Sequence, residues 1–271
     1  APLSTISALR KIAERFPSTK FIAVGTEECN QFKAFANVDF ISTAKVVTME
    51  TEPMQAVKMA DDSSMGYCLK LLHELENSVL LSAGNTAALM TLSYMRLREK
   101  EGKRRPAIMS KIEFDGSSTW ILDLGANIES TSQDLFENAL HGAKALSNPS
   151  IKLLNIGSEP GKGTDTIKKA HEMLTQSNSN YLGFVEGNEV LDMTCDLVVC
   201  NGFVGNAMTK LLESAVSRWK QSSSHVPRIS KVARFIGISK PVYKCHGAST
   251  EAEFMMALEE VLAAHASVEL L

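Results

Sequence analysis

DLVVCNGFVGNAMTKLLE, residues Asp196–Glu213, opens on an apolar run, Leu197, Val198, Val199 and Cys200, bounded by a charge and a turn. Such a run suits a strand buried on both faces. Asn201–Asn206 follows with two glycines and two amides, which reads as a turn. From Ala207 the spacing becomes helical, with Met208, Leu211, Leu212 and Ala215 on one side. Strand, glycine turn and helix in that order leave backbone N–H groups free at the helix start, where an anion can be held.

The same layout recurs on either side. Val79–Ser82 reads as a strand, followed by Ala83, Gly84, Asn85 and Thr86 and a helix to about Lys100. Thr119–Leu124 leads into Gly125, Ala126 and Asn127, with a helix over Leu135–Leu146. Ile151–Ile156 leads into the loop Gly157–Gly163 and a helix ending near Leu174. Tyr181–Val185 precedes Glu186–Asn188, and Val242–Cys245 precedes His246, Gly247 and a last helix over Glu251–Ala266. At the start, Leu3, Ile6, Leu9, Ile12 and Ala13 make a helix that Pro17 ends, and Phe21–Val24 makes a strand. Ala56–Leu75 carries a helix interrupted near Asp61–Ser64, and Ser217–Lys240 is basic and rich in serine. Alternating strands and helices predict an α/β fold, three layers with a mostly parallel central sheet. In that alternation a strand is expected ahead of the first helix.

With 271 residues, 44% of them hydrophobic, a sizeable core can form. A net charge of -3 argues against bulk nucleic-acid binding, which favours basic domains. The five cysteines are odd in number and scattered, without zinc-ribbon spacing, which suits a reducing cytoplasm. Neither a signal peptide nor a long apolar span is found, so a soluble cytoplasmic protein is expected. No GxxxxGK[ST] and no GxGxxG occurs, which disfavours a P-loop ATPase and a standard dinucleotide fold. No metal and no cofactor is expected.

In parallel sheets ligands sit beyond the carboxyl ends of the strands, where all these glycine turns fall. The residues these turns contribute are Ser82, Gly84, Asn85 and Thr86; Gly125 and Asn127; Asn155 and the carboxylate Glu159; and Asn201, Gly202, Gly205 and Asn206. Neutral amides and hydroxyls beside helix N-termini suit phosphate or a phosphorylated small molecule. Lys162, between two glycines, is either an anion contact or a solvated loop lysine. His246 is either a hydrogen-bond donor and acid/base group or a cap on the last helix. Glu186 reads as a partner for neighbouring N–H groups and Cys200 as packing.

Six runs occur in an order that is similar to one family: SAGNTAALM (Ser82–Met90), DLGAN (Asp123–Asn127), LLNIGSEPGKG (Leu153–Gly163), VEGNEVL (Val185–Leu191), VVCNGFVGNAMTKLLE (Val198–Glu213) and CHGAS (Cys245–Ser249). The chain resembles the phosphate acyltransferases of bacterial phospholipid synthesis, the PlsX family. The resemblance implies a fold like isocitrate and isopropylmalate dehydrogenase. It also implies one acyltransferase domain over 1–271, lacking the family's first strand and glycine turn ahead of Ala1, with gaps near Ser147, Asp192 and Ser224. Asn201 stands where the family usually has Asp.

The activity so implied is transfer of a fatty acyl group from acyl carrier protein to inorganic phosphate, giving acyl phosphate, by a homodimer. Phosphate is itself a nucleophile and a thiolate leaves readily, so direct attack without an acyl-enzyme is expected; the site must orient the reactants and hold the oxyanion. On this reading Asn85, Thr86, Asn201, Asn206 and Lys162 hold phosphate, and His246 or Asn127 assists the oxyanion. The carrier is acidic, so Arg96, Lys100, Lys103, Arg104 and Arg105 form its expected dock, or else a solvated face. Arg228, Lys231, Arg234 and Lys240 form a second basic group, suited to an anionic membrane surface or to solvent. The rival readings are a phosphotransacylase acting on acyl-CoA and a non-catalytic phosphate-ligand-binding protein.

Overall fold

The computed structural model describes residues 2–31, 35–98, 105–159, 161–219, 225–265 and 269–271. In chain order the elements are α1 (Pro2–Arg15), β1 (Phe21–Gly25), β2 (Val38–Ser42), α2 (Pro53–Lys58), α3 (Ser64–Glu74), β3 (Ser78–Ser82) and α4 (Thr86–Leu97). Then come β4 (Ala107–Phe114), β5 (Ser117–Leu122), α5 (Ser132–Leu146), β6 (Ile151–Leu154), α6 (Asp165–Thr175), β7 (Tyr181–Val185), β8 (Leu197–Val199), α7 (Gly202–Trp219) and β9 (Arg228–Ile229). The chain closes with β10 (Val232–Ile236), β11 (Val242–Cys245), α8 (Glu251–Ala264) and β12 (Glu269–Leu270). Contacts gather it into two compact units, 1–102 with 231–271, and 103–230.

The first unit carries a sheet in the order β2-β1-β12-β3-β11-β10, parallel except where β10 runs against β11. Helices α1 and α8 cover one face. Ile6 and Ile12 of α1 and Phe254 and Leu258 of α8 cluster there with Phe21, Val79, Leu81, Tyr243 and Cys245. Each large apolar side chain removed from water contributes about 1.5–3 kcal/mol, so this cluster outweighs any single polar contact in the unit. Leu80, Ser82 and Lys244 alternate to the opposite face. α3 lies against β1 and β3, its first turn capped by the buried Ser63, whose Oγ accepts the Gly66 N–H at 3.3 Å.

β12 pairs β1 only at Phe21 and β3 only at Ser78 and Val79. Beyond Leu271 the upper halves of β1 and β3 face a cavity of about 520 Å³. The consecutive runs Phe21–Gly25 and Leu80–Gly84 both line it. Side chains alternate along a strand, so consecutive lining residues mean that the cavity borders strand edges rather than one face of the sheet.

The second unit carries the order β9-β4-β5-β8-β6-β7, with β4 antiparallel to both β9 and β5 and the remaining pairs parallel. β4 and β5 form a hairpin closed by Asp115 (φ 51°) and Gly116 (φ 78°), the left-handed pair that a tight two-residue turn needs. Met208 and Leu212 of α7 pack on one face with Ile121 and Val198. α5 covers the other, where Gly142 lies so close to Leu197 and Leu122 that a Cβ would come within 2.6 Å of Leu197. Each sheet thus has helices on both sides, the layered α/β arrangement that the alternation predicts. The start of α7 differs from the sequence reading: it lies at Gly202, so most of the expected turn at Asn201–Asn206 is helix.

Candidate active site

In the first unit two turns meet at the carboxyl edge of the sheet. Ser82 ends β3, and its Oγ accepts the Gly84 N–H at 3.1 Å. Asn85 caps α4, its Oδ1 accepting the Ala88 N–H at 3.1 Å. Its Nδ2 donates to three carbonyls of one loop, Thr48 at 3.2 Å, Met49 at 3.0 Å and Thr51 at 3.0 Å. Asn85 is buried, and both polar atoms of its side chain serve the backbone. Thr86 is half-buried, and its hydroxyl bonds no other described residue.

The facing turn follows β11. A Cβ on Gly247 would stand 3.2 Å from the Ala83 carbonyl oxygen, so the absence of a side chain lets the two turns touch. His246 is exposed, and its Nδ1 accepts the Ala248 N–H at 3.2 Å. A neutral ring so engaged carries its proton on Nε2, a donor turned away from the turn.

In the second unit the organising group is Asp123, fully buried after β5. Its carboxylate accepts the N–H groups of Ile108 at 3.1 Å, Ala126 at 3.1 Å and Asn127 at 2.8 Å, and the Asn127 Nδ2 at 3.1 Å. Asn127 also donates to the Pro106 carbonyl at 3.1 Å. The start of α7 rests on this turn. The Gly202 N–H donates to the Asn127 carbonyl at 3.0 Å, and a Cβ on Gly205 would lie 2.0 Å from the Asp123 carbonyl oxygen. Gly125 (φ 106°) takes a left-handed conformation beside Asn206. Asn201 accepts the Val204 N–H at 2.9 Å through Oδ1, a contact that an aspartate there would make equally well.

The loop after β6 is tied by Asn155, also buried, whose Nδ2 donates to the carbonyls of Gly157 at 3.0 Å and Lys162 at 3.2 Å. Its Oδ1 meets no donor among the described residues. Glu159, Lys162 and Asn206 are exposed and make no side-chain hydrogen bond to another described residue. Glu186 stands half-buried, its N–H donating to Glu189 at 3.0 Å.

Among the predicted residues, then, Asn85, Asn127, Asn155 and Asn201 shape turns, whereas Thr86, Glu159, Lys162, Asn206 and His246 present groups outward. Two thiols stand near the turns. Burial pushes Cys200 up to about 12, with the Asp123 charge adding to it, and pushes Cys245 up to about 11. Both are protonated at neutral pH and poor nucleophiles.

Of the proposed dock, Arg96 pairs with Asp61 and Arg105 is exposed, while Lys100, Lys103 and Arg104 lie outside the described residues. In the other basic group Lys231 pairs with Glu253 at 2.8 Å, Arg234 lies 5.9 Å from the centre of the Tyr243 ring, and Lys240 donates to the carbonyls of Leu75 and Glu76 at 2.8 Å and 2.9 Å. Only Arg228 of that group is exposed without a described partner. Among the described residues no cluster of three His, Cys, Asp or Glu could hold a metal, and no helix is long and apolar enough to cross a membrane.

The sequence reading gave no role to two residues. Asp123 lies inside the quoted DLGAN run, where a carboxylate ahead of a glycine turn signals local N–H bonding. Lys244 is a charge in the otherwise apolar run Val242–Cys245.

The model of a family of fatty acid synthesis proteins matches residues 1–222. A phosphate acyltransferase of Coxiella burnetii is 32% identical over 303 residues, covering 96% of this chain and 88% of its own. The chain belongs to the phosphate acyltransferase family. A second relative, from Vibrio cholerae, is 36% identical over 226 residues, 78% of this chain and 66% of the relative's length. In fold the family member is similar to a branched-chain phosphotransacylase of Enterococcus faecalis, with a TM-score of 0.65, 14% identity, and 97% and 94% of the two chains covered. At that identity the likeness shows the fold alone. The family's reaction is acyl transfer to phosphate.

Proposed function

We propose that the protein transfers a fatty acyl group from acyl carrier protein to inorganic phosphate, yielding acyl phosphate for phospholipid synthesis. The observation that carries this reading is the match to named phosphate acyltransferases over most of the chain. The buried thiols support a direct route. A phosphate oxygen attacks the thioester carbonyl, the carbonyl oxygen becomes an oxyanion, and the C–S bond breaks to release the carrier thiolate. Neither Cys200 nor Cys245 is a thiolate at neutral pH, which disfavours a covalent acyl-cysteine.

In this reading Ser82 and Thr86 offer hydroxyls to phosphate, and His246 offers its Nε2 proton to the oxyanion. Within the second unit, Lys162, Glu159 and Asn206 are the exposed polar groups that remain candidates for a substrate contact of that unit's own. Asn85, Asn127 and Asn201 act by holding turns. Arg96 in the first unit, and separately Arg105 in the second, are the described basic residues offered to the acidic carrier. Assembly as a homodimer belongs to the same reading. The donor is tested by comparing palmitoyl-carrier protein with palmitoyl-CoA. The reading expects turnover with the carrier at far lower donor concentration. Equal or better turnover with CoA overturns the choice of donor, and phosphate binding without turnover from either donor overturns catalysis.

A further inference from the structure

Lys244 is the anomaly of the first unit. It is 8% exposed, yet it lies in the middle of a sheet on β11. Lysines are almost never buried unless paired, because a buried charge without a partner is costly. Among the described residues its hydrogen-bond partner is one carbonyl: Nζ donates to the Cys245 oxygen. No carboxylate among the described residues pairs with it. Loss of solvation is the larger influence on its pKa, which it lowers, and only the neighbouring Cys245 thiol, not a carboxylate, opposes that shift. The ammonium has three donors, and one of them is taken by a described residue.

Its position gives the other donors a direction. The Cys245 carbonyl is the last of β11, so the amine is drawn to the carboxyl edge, next to His246. Lys244 stands in register with Ser82 of the neighbouring parallel strand and with Ala233 of β10 on its other side. Both neighbours are small, which leaves room on that face. Ser82 leads directly into the turn before α4, where Thr86 presents an uncommitted hydroxyl. A buried cation, two hydroxyls and a helix start thus belong to one edge of one sheet.

We infer that Lys244 is the cation of an oxyanion subsite in the first unit, which takes orthophosphate or the phosphoryl group of the product. This rests on the acyltransfer reading for the identity of the anion. The anion supplies the counter-charge that no described carboxylate provides, and two charge-assisted hydrogen bonds from Nζ join donors from Ser82 and Thr86. Lys244 would then touch substrate, which the surrounding apolar strand does not suggest.

The test uses the full-length protein and inorganic phosphate as probe. Phosphate affinity is measured by calorimetry, and the phosphate KM by acyl-phosphate formation, for wild type, Lys244→Met and Lys244→Arg. Lys244→Met should stay folded, with a melting temperature no lower than wild type, since an unpaired buried charge has been replaced by an apolar chain of similar length. Its phosphate affinity should fall about tenfold or more and its phosphate KM rise in parallel, as expected for a lost charge-assisted contact. Lys244→Arg should retain most of the affinity. Unchanged phosphate affinity and KM in a folded Lys244→Met variant overturn the inference while leaving acyltransfer intact. Phosphate binding that depends on Lys244 in a protein making no acyl phosphate sustains the subsite and overturns the acyltransfer reading instead. Should Lys244→Met fail to fold, the ¹³Cε signal of Lys244 in wild type, assigned with Lys244→Arg, must shift on titration with phosphate; an unmoved signal overturns the inference.

Discussion

Asp123 holds Asn127 twice, by its backbone N–H at 2.8 Å and by its side-chain Nδ2 at 3.1 Å, both on the same carboxylate oxygen. The other oxygen takes the N–H groups of Ile108 and Ala126. Asp123→Asn keeps the shape but puts an amide NH₂ against N–H donors whichever way it is turned. Each stranded buried donor costs about 1 kcal/mol or more, so the variant should lose about 2–3 kcal/mol in urea unfolding. A loss below about 1 kcal/mol would mean that the carboxylate does not organise this turn.

Asn85 offers a comparison between two substitutions. Asn85→Ala removes a helix cap, typically about 1 kcal/mol, and leaves the carbonyls of Thr48, Met49 and Thr51 without their donor. Asn85→Asp keeps the cap but points a carboxylate oxygen at those three carbonyls. At neutral pH the Asp variant should therefore melt below the Ala variant, although aspartate is the better cap. The gap should narrow as the pH falls, because a protonated carboxyl donates again. An Asp variant more stable than the Ala variant at pH 7 would show that capping outweighs the loop contacts.

At Gly205 two effects oppose each other. Inside a helix alanine is favoured over glycine by about 1 kcal/mol. A Cβ there, however, would meet the backbone oxygen of Asp123 at 2.0 Å and Cys200 Sγ at 2.8 Å, neither the far end of a flexible side chain. Gly205→Ala should lose about 1–3 kcal/mol net, or fail to fold, as overpacking usually does. Thermal unfolding reads the sign directly, and a stabilised variant would contradict the close contact of α7 with the Asp123 turn.

The thiols give a chemical prediction. Cys200→Ala and Cys245→Ala should retain most of the wild-type turnover, measured at a temperature where each is folded. Abolished turnover in either folded variant, with an acyl-cysteine trapped in wild type by mass spectrometry, would replace direct phosphate attack with a covalent route.

The layered fold was legible because apolar runs such as Leu197–Val199 and glycine turns punctuate the chain. The start of α7 was not. Gly202 and Gly205 look like a turn in sequence, whereas they are the places where a helix passes close to the backbone of 123–127. β4, AIMSKIEF, went unread although its Asp115-Gly116 turn announces a hairpin. β10 was hidden by the charge of Arg234, whose stem crosses the sheet to Tyr243. Within the site, sequence finds amides at turns but cannot say what they bond. An asparagine that holds a phosphate and one that holds three carbonyls, as Asn85 does, have the same local signature. Lys244 was missed because a lysine in a short strand reads as an edge residue until its neighbours on both sides are known.

Acyl transfer from carrier to phosphate is read by incubating the full-length protein with palmitoyl-carrier protein and inorganic phosphate, following acyl phosphate and free carrier thiol together. This transfer should give both products in equal amounts, at a rate that rises with phosphate and vanishes without it. Thiol release that continues at the same rate in the absence of phosphate, or no acyl phosphate from a folded protein, would contradict it.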